Sequence, residues 1–269
     1  MPKRSQTAHA LSIVPPIVML TLILMAWHAA IVVFSIPDFI LPKPLDVGRA
    51  LLESRGELLA ATLRTAIAAL LALLCSTTLG TLTAFIFSQS AVVRRAFYPY
   101  AILLQTVPII AIAPLIMVTF GRGFHSVTLV AIVISIFPVL TSTTTGLLQI
   151  DEPLQELFRL HRASWWQTLW KLRLPSAVPW MISGIRIASG AAVVGAIVGE
   201  FFVGPSQPGL GALIQRRSAG LHLPELYATV AMSVGLGVTT FVVVTVTGDF
   251  VLRRWFGRRL DGQIANPTG

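Results

Sequence analysis

Charge is what this chain has least of: 12% of its 269 residues are Asp, Glu, Lys or Arg, against 55% hydrophobic, where a soluble domain carries about a quarter charged. That scarcity excludes an ordinary water-facing surface. Lysine is rarer still. Only Lys3, Lys43 and Lys171 occur and none follows a glycine, so the chain lacks the Gly-Lys-Ser/Thr core of a phosphate-binding loop and cannot hydrolyse ATP by that route. His9, His28, His125, His161 and His222 fall on separate segments without metal-ligand spacing. Neither a nucleophile elbow nor an H-E-x-x-H motif is present. The single cysteine, Cys75, excludes an internal disulfide and leaves the redox compartment unread.

What fills the chain instead is apolar sequence in long blocks. Residues 5–37, 65–93, 96–121, 123–150 and 226–248 carry no charge, and 181–203 is broken only by Arg186 and Glu200. Each is long enough for the roughly 20 residues that cross hydrocarbon. Barrel strands alternate apolar and polar positions, whereas these runs are apolar almost throughout. The reading is an all-α polytopic membrane protein with six transmembrane helices, a membrane domain over 11–252 between an N-terminal segment 1–10 and a tail 253–269. The first apolar block follows Lys3 and Arg4 and has no small-residue cleavage site before Ser35, so it is expected to be a retained helix rather than a leader.

The net charge of +9 is placed by topology, not by nucleic acid. With the N-terminus inside, Lys3, Arg4, Arg94, Arg95, Arg159, Arg162, Lys171, Arg173, Arg253, Arg254, Arg258 and Arg259 share the cytoplasmic side. Lys43, Arg49, Arg55, Arg122, Arg216 and Arg217 fall outside, where Asp38, Asp46, Glu53, Glu57 and Glu225 offset most of them. This is the positive-inside distribution.

Prolines 37, 42 and 44 predict an extended outer loop leading into a short interfacial helix. Pro108, Pro114 and Pro138 fall inside apolar runs, where each removes a backbone donor; they either kink a helix or line a path. Thr141–Thr145 is expected to bond its own backbone or a neighbouring helix. Gly184, Gly190, Gly195 and Gly199 predict close helix packing. "GPSQPGLGAL" reads as an outer turn, and a last span starts near Tyr227. Gln105, Thr106, Pro108, Ser135, Arg186 and Glu200 are the candidate path residues, polar or helix-breaking positions within apolar spans. Arg186 and Glu200 lie fourteen residues apart, about 21 Å along a helix, too far to pair; the plainer reading is an inner-end base and an outer-end acid, each reaching its own interface or a neighbouring helix. Arg64 is close enough to the outer face to snorkel, and Asp249 is expected to pair with the adjacent arginines.

Against this background, 151–175, "DEPLQELFRLHRASWWQTLWKLRLP", is short, basic and rich in tryptophan. Asp151, Glu152 and Pro153 suit a helix start, and that helix is expected to reach Arg162. Ser164 and Gln167 form an S-x-x-Q capping box for a second helix, with Lys171 and Arg173 in its last turn and Pro175 as its stop. Trp165, Trp166, Leu169, Trp170 and Leu172 give it an apolar side suited to a bilayer surface. An amphipathic hairpin resting on headgroups has the same pattern. A DNA-reading helix pair would have to reach a duplex while held between two spans.

Glu156, Arg162 six residues on, and the pair Leu174 and Pro175 at the segment's end resemble the "EAA" loop of permeases in binding-protein-dependent ABC importers. "QTVPIIAIAPLIMVTFG" and "GIRIASGAAVVGAIVGEFFVG...GLGALI" resemble the subfamily importing nitrate, sulfonates, taurine and related solutes, and the likeness runs from about Leu41 to Arg254. The resemblance implies the type I (MetI-like) permease architecture and a homodimer with the path at the subunit interface. It implies two ATP-hydrolysing subunits, with ATP and Mg2+ bound there and no cofactor in this chain, an extracytoplasmic solute-binding protein, a bacterial inner-membrane location and both termini cytoplasmic. Glu156, Leu157, Phe158, Arg159, His161, Arg162, Ala163, Ser164, Leu174 and Pro175 are then the ATPase-coupling residues.

Two positions depart from the family's pattern: Leu157 and Phe158 replace alanines, and Arg162 replaces a glycine. If that position needs a left-handed backbone, arginine costs about 1 kcal/mol there. The cargo is not legible; sulfonate, nitrate and a vitamin-like heterocycle all fit. An ion-gradient-driven transporter and a membrane-embedded enzyme are the alternatives.

Overall fold

The computed structural model describes residues 4–203 and 209–256, and all regular structure among them is helical. Helix α1 is Arg4–Val33, α2 Pro44–Glu53, α3 Arg55–Gln89, α4 Ala91–Thr106, α5 Ile109–Phe120 and α6 Phe124–Leu148. After a short loop helix α7, Glu152–Leu160, come α8, Trp165–Thr168, a π-helical turn Leu169–Arg173, α9 Leu174–Val203, α10 Leu210–Ala219 and α11 Leu223–Phe256. Among the described residues, five helical stretches are long and apolar enough to cross a membrane: Val14–Val33, Arg55–Gln89, Phe124–Leu148, Trp165–Phe202 and Leu223–Arg254. Hydrocarbon offers no partner for a free amide or carbonyl, so the chain satisfies them within helices. Hydroxyls inside the spans follow the same rule: Thr62, Thr78, Thr83, Thr141 and Thr144 all donate to the carbonyl one turn back.

The sixth expected crossing, 96–121, is not one helix. It divides at Val107 and Pro108, both extended, into α4 and α5. Proline's ring drives the residue before it out of the helical region, and α5 restarts when the amides of Ala111 and Ile112 reach the Pro108 carbonyl. Pro114 and Pro138, by contrast, sit inside continuous helices.

The core is the stack of α3, α6 and α9. Ala68, Ala69 and Ala72 of α3, Val127, Val130, Ala131 and Val139 of α6, and Ala188, Ala192 and Ala196 of α9 are buried together. Small residues set the spacing, since packing rather than water release drives helix association in lipid. A methyl group at Gly195 would stand 2.6 Å from the Ala131 Cα, one at Gly184 2.8 Å from the Ser142 Cβ and one at Gly199 3.0 Å from the Val127 Cα, all on α6. Gly190 does not; the space beside it is open. From Val14 onward the outer face of α1, like that of α11, is almost wholly exposed apolar surface. Among the described side chains of α1, Ile31 is buried and the Trp27 ring lies 5.6 Å from that of Tyr227.

Three sequence expectations need correction. The stretch read as an outer turn is helix from Leu210 onward, while 204–208 lie outside the described residues. Pro175 does not stop a helix: the π turn donates its closing bond from the Leu174 amide to the Leu169 carbonyl, and the chain runs on into α9. Five-residue spacing accommodates a proline that lacks its own donor. Asp249 makes no ion pair with Arg253 or Arg254, and its Oδ1 is buried without a partner among the described residues; Arg258 and Arg259 lie outside them.

Candidate functional site

The end of the bundle where α3 and α6 finish carries the 151–175 loop. α7 starts as expected, with Asp151 at the N-cap, Pro153 in the first turn and Glu152 beside it, although the Asp151 side chain makes no capping bond. The Gln155 side chain does the anchoring, donating from Nε2 to the Ile150 carbonyl at 3.0 Å. The helix ends at Leu160, two residues before the expected Arg162. The Ala163 amide donates to the Phe158 carbonyl at 3.0 Å and the Arg162 amide to that of Arg159 at 2.9 Å. This bond pair is the Schellman reversal, and it requires a left-handed residue between helix and exit. Arg162 is that residue, with φ at 47°.

Ser164 then opens α8. Its Oγ accepts from the Gln167 amide at 3.3 Å while Gln167 Oε1 accepts from the Ser164 amide at 2.8 Å, the reciprocal capping box expected from the sequence. Leu169 and Leu172 turn inward and are buried, whereas Trp165, Trp166 and Trp170 face out. The five do not form one apolar side as expected; leucines pack and tryptophans are displayed. Arg173 Nη1 reaches the Ser88 carbonyl at 3.5 Å, and Arg94 Nη1 reaches the Phe87 carbonyl at 3.2 Å. Two guanidinium groups thus meet the unpaired carbonyls at the C-terminus of α3, where cations are favoured, and one of them moors the loop to the core.

No residue of α7 is buried. Glu156 and Arg159 are exposed, Leu157 is 47% exposed and Leu160 81%. A cavity of about 400 Å3 opens between the two loop helices, lined by Leu157, Phe158, His161, Ala163, Gln167 and Lys171. His161 Nδ1 lies 2.8 Å from the Leu157 carbonyl. Leu174 and Pro175, at the loop's end, are half-buried in the first turn of α9.

Residues 76–262 match the family described as the binding-protein-dependent transport system inner membrane component. The chain belongs to this family. It is also similar along most of its length to three permeases. A probable ABC transporter permease protein of Haemophilus influenzae is 30% identical over 89% of this chain and 96% of its own length. The riboflavin transport system permease of Chloroflexus aurantiacus is 31% identical, with 88% of each chain covered. The formylaminopyrimidine transport permease of Halalkalibacterium halodurans is 28% identical over 88% of this chain and 94% of its own. The protein is therefore a multi-pass inner-membrane permease of the ABC importer class, with the all-helical fold expected of it, and not an enzyme.

The six candidate path residues of this permease do not form one cluster. Gln105, Thr106 and Pro108 are exposed around the α4–α5 break. Ser135 is fully buried and donates to the Ala131 carbonyl at 2.7 Å. Arg186 is half-buried, its guanidinium carbon 4.9 Å from the centre of the Phe241 ring, a cation–π contact. Glu200 is buried at the opposite end of the bundle from the loop. Its carboxylate accepts from Thr65 Oγ1 at 2.9 Å and from the Gly211 amide at 3.0 Å, and Thr65 Oγ1 lies 2.9 Å from the Leu210 amide, which donates to it. Glu200 and Thr65 thus cap the N-terminus of α10, where negative charge is favoured.

Sequence reasoning missed this junction and its partner. A side chain at Gly209 would collide with the Glu200 carboxylate, and one at Gly211 with the Ile197 carbonyl, which explains "GLGAL" better than a turn does. At the other end of α10, Arg217 is 4% exposed; it pairs with Glu57 at 2.8 Å and Glu225 at 3.3 Å, and donates to Thr229 Oγ1 at 2.6 Å. The only sequence signal was the balance of Arg216 and Arg217 against Glu57 and Glu225.

Proposed function

We propose that the 151–175 loop is the surface through which a separate ATP-hydrolysing subunit drives this permease. The observation that carries the reading is the character of α7: a short amphipathic helix with no buried residue, clamped by a Schellman reversal at one end and by Gln155 at the other. Glu156, Leu157, Phe158, Arg159, His161, Arg162, Ala163 and Ser164 form or border its exposed surface, while Leu174 and Pro175 join the loop to α9. Displacement of α7 passes through α8 and the π turn into α9, a helix packed against both α3 and α6. ATP and Mg2+ act on the partner, whose closed form is favoured by nucleotide; that differential affinity supplies the bias between states.

The permease works as a homodimer, with cargo passing between the copies and an external binding protein delivering it to the α2–α10 end. Gln105, Thr106, Pro108 and Arg186 reach surfaces a second copy can line; Ser135 and Glu200 are sealed within one chain and support the path from beneath. The loop end faces the cytoplasm with both termini, in keeping with Arg94, Arg95, Arg159, Lys171, Arg173, Arg253 and Arg254 at that end. For cargo, the names of the riboflavin and formylaminopyrimidine relatives favour a small vitamin-like heterocycle over nitrate or a sulfonate.

Vesicles holding only this chain are expected to show no uptake, and adding the ATPase, ATP and binding protein should restore it. Uptake driven by a proton or sodium gradient without ATP would instead identify a secondary transporter.

A further inference from the structure

The first turns of α4 and the last turn of α6 border an open cavity of about 460 Å3 that neither the loop nor the path uses. Arg94, Arg95 and Tyr98 line one wall, Thr144, Thr145 and Leu148 the other. Arg94 is held in place by its bond to the Phe87 carbonyl, and the Tyr98 ring by an edge contact with Phe87, centroids 6.2 Å apart. That bond occupies one of five N–H donors on Arg94. Neither arginine is ion-paired with a described carboxylate. Thr144 directs its proton to Leu140, whereas the hydroxyls of Thr145 and Tyr98 make no hydrogen bond to a described residue.

We infer that this cavity is an oxyanion site, taking a phosphate or sulfonate group between the Arg94 and Arg95 guanidinium groups and the hydroxyls of Tyr98 and Thr145. Guanidinium donors match such groups in planar, bidentate fashion. The site has two possible sources of ligand, distinguished by what surrounds it. It lies where the apolar helices α3 and α6 end, and its wall includes Pro99 and Leu148, which suits an anionic phospholipid. Arg95 and Pro99 are exposed, which leaves the site open to a free oxyanion as well. The inference does not depend on how the 151–175 loop is used.

The test has two arms on the full chain. In nanodiscs of phosphatidylcholine doped with phosphatidylglycerol, the phosphatidylglycerol retained after detergent extraction is measured by mass spectrometry. In detergent with neutral lipid only, inorganic phosphate is titrated and its binding followed by phosphorus NMR line broadening. Arg95→Gln, at an exposed position, is expected to lower binding about fivefold in whichever arm is positive. Arg95→Lys should restore most of it in the lipid arm, and Thr145→Val should weaken it with the fold retained by circular dichroism. Retention in the first arm alone assigns a headgroup; binding in the second assigns a free oxyanion. Binding in neither arm, or binding indifferent to Arg95→Gln, overturns the inference.

Discussion

Ala163 donates its amide to the Phe158 carbonyl across 3.0 Å, and the reversal this bond closes holds Arg162 at a φ of 47°. The EAA-loop pattern that this segment resembles has glycine at this position, and a left-handed residue without a Cβ is unstrained. Arg162→Gly is therefore expected to stabilise the loop by about 1 kcal/mol, read as slower hydrogen exchange at residues 158–163. A gain in protection together with weaker ATPase assembly would show that the arginine is retained for its charge.

The capping box makes a separate claim. Ser164→Ala should cost about 1 kcal/mol and Gln167→Ala less, with the double variant losing less than the sum because each bond depends on the same turn. Exchange rates of the 164–168 amides measure this without involving transport.

The α10 clamp gives the clearest contrast between buried and exposed charge. Arg217→Ala removes the buried side chain that ties the half-exposed Glu57 and Glu225 to Thr229 and is expected to destabilise by about 1–3 kcal/mol, seen as a lower midpoint of thermal unfolding in detergent. Arg216→Ala, whose side chain is 50% exposed and 3.4 Å from Glu57, should cost under about 1 kcal/mol. Equal losses from the two would contradict the assignment.

At the other end of α10, Gly211→Ala forces a methyl against the Ile197 carbonyl, and Thr65→Val removes a donor from the buried Glu200. Each is expected to cost about 1–3 kcal/mol, lowering the yield of folded protein in the membrane. Gly190→Ala, beside open space, is the control and should leave yield unchanged.

Local chemistry was readable from the sequence where one short stretch decided it. The apolar blocks gave five of the six expected spans as single helices, S-x-x-Q gave the α8 cap, Asp151-Glu152-Pro153 gave the start of α7, and the glycine row gave the α6–α9 contact at three of four positions. What was unreadable depended on partners far apart in the chain. Thr65 and Glu200 are 135 residues apart and Glu57 and Arg217 are 160 apart, so nothing local announces either pair. The π turn escaped for a different reason: Pro175 reads as a stop wherever spacing is assumed to be that of an α-helix. Arg162 as a left-handed residue was legible only through the family's glycine, because arginine itself carries no such signal.

The most direct test of the account is co-purification of the partner ATPase with the full permease and with Glu156→Lys, at an exposed position of α7. The account predicts that the variant inserts in the membrane at wild-type level and no longer retains the ATPase. Undiminished assembly and transport by Glu156→Lys would contradict it.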